Sequence, residues 1–163
     1  MSQPSSPRVH LALDTASPTT SIAVGASSQT AVERVLPLRR SGERLIPTVA
    51  ELLDEQGLKT SDLASVIVLR GPGSFTGLRV GLATALGLHQ ALAMPIAIPS
   101  TMTVLAASTP AACVPAVGTP DNQTITAVVD ALRGFWSAQR FTRHASDPLP
   151  RPIDAEPELL DAA

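Results

Sequence analysis

The residues best placed to do chemistry are Gly71-Pro72-Gly73-Ser74-Phe75-Thr76-Gly77-Leu78-Arg79-Val80-Gly81. They lie between an apolar run, Ala64 to Leu69, that reads as a buried strand, and a small-residue apolar run, Leu78 to Leu92, that reads as a helix. A strand, a glycine turn and a helix start bring free backbone N–H groups to the positive end of a helix dipole, which is a setting for phosphate or carboxylate. The same residues suit a plain tight turn equally well. No Lys follows Gly77 and the spacing is not G-x-G-x-x-G, so neither common nucleotide fingerprint is present. Gly77, Gly81 and Ala85 recur at four-residue spacing and line one helix face with almost no side chain, so that face requires a close neighbour.

Asp14 is the second candidate. It ends an alternating strand just before the hydroxyl-rich segment Thr15, Ser17, Thr19, Thr20, Ser21. Such a carboxylate either holds a metal-bound water beside a phosphate or forms an Asx turn, and the residues alone leave both open. His10, His89 and His144 fall on three different segments with no H-x-x-x-H spacing, so a hydrolytic zinc site has no ligand set here. His10 reads as a structural residue on a strand face and His89 as a complement to a helix C-terminus. Cys113 is the single cysteine, which excludes an internal disulfide and reads as a small apolar residue.

Composition sets the frame for these candidates. A hydrophobic fraction of 44% against 16% charged residues indicates a globular chain, and 163 residues suffice for one full core plus part of another. With a net charge of −2 and Arg39-Arg40 as the only adjacent basic pair, the chain lacks an autonomous nucleic-acid surface. Aromatic residues are too scarce for a base-stacking platform. Met1 to Pro7 are polar and no run approaches a membrane span, so the expected location is the cytoplasm, away from any membrane.

The elements that must position the candidates follow from periodicity. Arg8 to Asp14, Thr20 to Gly25 and Thr30 to Leu36 read as three antiparallel strands. Ser41 is the expected N-cap of a helix from Gly42 to about Gln56, with Leu45, Val49, Leu52 and Leu53 as its apolar stripe. The strand at residues 64–69 and the small-residue helix come next, then a short strand within Met94 to Pro99 and a helix capped by Ser100 or Thr101. The order β-β-β-α-β-α-β-α predicts a mixed α/β domain. Residues 108–123 read as a connection, Thr124 to Asp130 and Phe135 to Thr142 as a hairpin, and the rest as a Pro-rich acidic extended tail ending in at most one helical turn at residues 158–161.

Asp14-Thr15-Ala16 with Ser21-Ile22-Ala23-Val24, then Arg44-Leu45-Ile46-Pro47, the run Arg70 to Gly81, and Val129-Asp130-Ala131 together resemble the TsaB (YeaZ) group of the Gcp-like, or glycoprotease-like, family, over about residues 8 to 142. The resemblance implies an actin-like (ASKHA, ribonuclease H-like) α/β fold of two related lobes. Residues 1–107 would form the first, and residues 108–163, with the hairpin at 124–142, a truncated second. It also implies a role in forming N6-threonylcarbamoyladenosine at position 37 of tRNA. That role is non-catalytic: the chain would heterodimerise with and stabilise the catalytic subunit TsaD and join the ATPase TsaE. Contact with tRNA would come only through the complex. No cofactor would be held alone, and ATP or ADP would enter only with the partners.

The resemblance places the partner surface on the first two helices, here Leu45, Val49, Leu52 and Leu53 with Leu78, Leu82, Ala85 and Leu86. It turns Asp14, Thr15, Gly71, Gly73, Ser74, Thr76, Gly77 and Arg79 toward a nucleotide, an anion or the third subunit. The chain departs from the family pattern at Ser41, where relatives often carry His, at Leu132, which ends the usual Asp-Ala-Arg, and at Phe135, which replaces a Glu. Two other readings are an actin-like ATPase or phosphotransferase built on Asp14, Gly73, Ser74 and Gly77, and a diverged scaffold or homodimer without modification activity. The first needs phosphate and adenosine loops from a full second lobe. A literal glycoprotease is excluded by the scattered histidines.

Overall fold

The computed structural model describes residues 8–27, 30–36, 41–109, 122–132, 135–144, 146–147 and 149–161. They divide into two compact units, one made of residues up to 70 with 74–99, the other of 71–73 with residues from 100 onward. In the first unit β1 (Val9–Asp14), β2 (Thr20–Gly25) and β3 (Val32–Leu36) form an antiparallel meander. On the other side of β1, β4 (Leu63–Val68) and β5 (Ile96–Ala97) continue the sheet in parallel. The order β3-β2-β1-β4-β5, with crossovers through α1 (Ser41–Glu55) and α2 (Phe75–Leu92), is that of an actin-like, ribonuclease H-like lobe.

Period-two alternation decides which face of this sheet is inside. Val9, Leu11, Leu13, Ile22 and Val24 are buried together. On β4 both Leu63 and Val66 turn inward despite their odd spacing, because the register shifts between Val9 and His10 and leaves Ala64 outside the pairing. The α1 stripe closes the core: Leu45, Val49, Leu52 and Leu53 are between 0% and 5% exposed. This corrects the assignment of those four residues to a partner surface. An amphipathic helix has one apolar stripe, and the sheet's apolar face claims it first. Ala85 of α2 is also fully buried, Leu78 and Leu82 are half-buried, and Leu86 stays outside.

The second unit is built around the hairpin of β6 (Asn122–Leu132) and β7 (Phe135–His144). Onto it packs α3 (Thr101–Ser108), whose N-cap Ser100 accepts from the Met102 N–H at 3.2 Å. Met102 and Ala106 share a core with Ile125, Ala127 and Phe141, so the division between the units falls at Ser100 rather than after residue 107. Arg143 donates to the carbonyls of Ala106, Ala107 and Thr109, at 2.6, 3.3 and 2.6 Å, and so caps the negative end of α3. Most of the expected connection at 108–123, Cys113 included, lies outside the described residues.

The acidic tail is not a loose extension and does not end in a helical turn. Both β8 (Arg151–Pro152) and β9 (Glu158–Asp161) pair antiparallel with β7. The prolines forbid a helix but tolerate an edge position, and β7 offers a row of N–H and C=O groups that need partners. Asp154 fastens this strap: it accepts from the Arg140 backbone N–H at 2.9 Å, while Arg140 Nη2 donates to its other oxygen at 2.7 Å. Ile153 N–H donates to the Arg140 carbonyl at 2.8 Å, and Gln139 Nε2 donates to the Asp154 carbonyl at 2.9 Å.

Two outcomes are expected. Leu52→Ala should lower the unfolding free energy by about 2–5 kcal/mol in a urea titration, and Val49→Glu should prevent folding of the first unit rather than act on association alone. The Arg140 hydrogen bonds hold the Asp154 carboxyl below its ordinary value, so the folded state gains from this group above the unfolded carboxylate value and loses the gain as pH falls through the depressed one. Amide exchange at Ile153 should therefore accelerate below about pH 4, and Asp154→Asn should show the fast exchange already at neutral pH.

Candidate functional site

The turn after β1 is organised by Asp14. One carboxylate oxygen accepts from the N–H groups of Ala16 and Ser17 at 2.9 and 3.0 Å, and the other accepts from Ser17 Oγ at 2.6 Å. This is an Asx turn closed by its own hydroxyl, so the carboxylate acts first as a backbone organiser. The turn it shapes turns Thr15 inward, where that residue is 5% exposed. Thr15 is the neighbour that the small-residue face of α2 requires. A Cβ on Gly77 would overlap the Thr15 carbonyl oxygen, and one on Gly81 would overlap Thr15 Oγ1 and approach Val68 at 3.0 Å. Ser74 N–H donates to the Ala16 carbonyl at 2.8 Å and tethers the start of α2 to the same turn.

Ser74 is also the N-cap of α2, its Oγ accepting from the Gly77 N–H at 3.2 Å. The first-turn amides of Phe75 and Thr76 are of the kind a helix leaves without an internal partner. Thr76 and Arg79 are exposed, and the Arg79 guanidinium lies 5.5 Å from the centre of the Phe75 ring, itself 73% exposed. Asp14, Thr15, Ser74, Thr76, Gly77 and Arg79 thus come from the β1–β2 turn and the first turns of α2. Gly71 and Gly73 group with the second unit. There the Gly71 carbonyl accepts from the Thr101 N–H at 3.0 Å and from Ser100 Oγ at 3.4 Å, next to a cis Gly71–Pro72 bond. The glycine stretch therefore splits: its first half serves the start of α3, its second half the seat of α2.

No group of three His, Cys, Asp or Glu side chains able to hold a metal occurs among the described residues. His10 Nδ1 lies 2.8 Å from Ser65 Oγ on the neighbouring strand, and His89 Nδ1 donates to the Met94 carbonyl at 2.7 Å beside the end of α2. Both are therefore engaged locally. What the arrangement around Asp14 supplies is the placement of a turn against a helix start, and among the described residues Arg70 and Arg79, on either side of that start in the sequence, are exposed. Sequence reasoning did not find Thr15 as the seat of α2. Its signal was the small-residue period on the helix, which says that something comes close but not what.

Residues 35–141 match the family described as TsaD, tRNA N6-adenosine threonylcarbamoyltransferase. The chain belongs to this family. Within it the similarity runs to TsaB proteins. The Bacillus subtilis tRNA threonylcarbamoyladenosine biosynthesis protein TsaB is 32% identical over 125 residues, which is 76% of this chain and 51% of that protein. Its Escherichia coli namesake is 33% identical over 59% of this chain and 42% of its own length. The solved structure of YeaZ from Pseudomonas aeruginosa, at 27% identity, superposes with a TM-score of 0.75 over 94% of this chain and 67% of that one. The chain thus spans about half the length of the curated TsaB relatives it matches.

Gly77→Ala tests the seating of α2. It should destabilise the first unit by about 3 kcal/mol, because the added methyl meets backbone rather than a side chain that can turn away. Gly87→Ala, where a Cβ would meet nothing within 4 Å, should be neutral or slightly stabilising by the same thermal denaturation measurement.

Proposed function

We propose that the chain serves tRNA N6-threonylcarbamoyladenosine formation as a non-catalytic subunit that docks on and stabilises a TsaD-type catalytic subunit. The observation that carries this is the outer face of the two crossover helices. After α1 and α2 have filled the core, Ile46 and Leu86 remain 49% and 53% exposed, with Ala50 and Ala83 also exposed on the same helices. Apolar side chains set among small ones on a rigid helix pair suit packing against another helix pair. The interface therefore uses Leu86, Ile46 and the exposed alanines rather than the buried stripe of α1.

The Asp14 turn supports the same reading from the other side. Its carboxylate is spent on holding a turn, and the family membership supplies a catalytic relative in which the chemistry would reside. In this assembly the exposed start of α2, with Arg79 and Thr76, would face ATP or ADP or the TsaE-type ATPase, and tRNA would be met only through the complex. A cytoplasmic setting fits, and among the described residues no helix is long and apolar enough to cross a membrane.

Co-purification with the TsaD-type protein of the same organism, read by light scattering, should give a one-to-one complex. Leu86→Glu and Ile46→Glu should each weaken that complex by roughly tenfold or more while leaving the thermal transition of the free chain nearly unchanged. Complex formation that survives both substitutions would move the interface elsewhere. Restoration of the modified nucleoside in cells depleted of their own TsaB separates a working subunit from a scaffold that only binds.

A further inference from the structure

We draw no further inference here: the strongest candidate, the hollow lined by His10, Ala12, Ala23, Gly25 and Ile67 on the face of the first sheet turned away from α1 and α2, carries nothing, because nothing in the structure shows what covers that face.

Discussion

The first unit depends on one close contact, the seating of the α2 backbone on the turn at Thr15. Side chains of ordinary size would hold a helix well clear of a sheet's loop. Here Gly77 and Gly81 remove them at the two points where the Thr15 carbonyl and hydroxyl intrude. The contact works because both sides are fixed independently: the turn by Asp14 accepting three hydrogen bonds, the helix start by its Ser74 cap and the Ser74 N–H bond to Ala16. Loss of either fixation would leave the glycines as a simple weakness in a helix. Together they hold the start of α2 against the turn after β1.

The second unit solves a different problem with charge. Among the described residues it has a small apolar core of five buried residues, Met102, Ala106, Ile125, Ala127 and Phe141, and an eight-residue helix to cover a longer hairpin. Arg143 ties the C-terminal end of α3 to β7, and Arg140 with Asp154 ties the proline-rich strap to the same strand. Both arginines leave β7, so that strand is the organiser of the unit. An exposed ion pair is a weak source of stability. The Arg140 pair matters here because its oxygen also accepts a backbone N–H, which makes it part of the strap's register.

Apolar residues on the helices have two destinations, and the ordering between them follows from energy. Burying a leucine in its own core gains about 1.5–3 kcal/mol without any loss of translational freedom, whereas a partner has to offset that loss as well. The strongest stripe, on α1, therefore faces inward. The large apolar residues that stay exposed on the two helices are a sparser set, Ile46 on α1 with Phe75, Leu86 and Leu92 on α2.

Much of the fold was legible in the sequence because it rests on local periodicity. Alternation gave β1, β2 and β3, the apolar stripe gave α1, and the small-residue run gave α2, each to within a few residues of the observed ends. The family could be read from the run Arg70 to Gly81 for the same reason: a backbone approach that close tolerates few residue types, so it writes itself into the sequence. Tertiary structure alone decided the rest. Which face of α1 is spent on the core, how the glycine stretch divides between α2 and α3, and that residues 158–161 form a strand all depend on partners distant along the chain. A tail with four prolines in it looks unstructured until an open edge of β7 supplies the hydrogen bonds that its own sequence cannot.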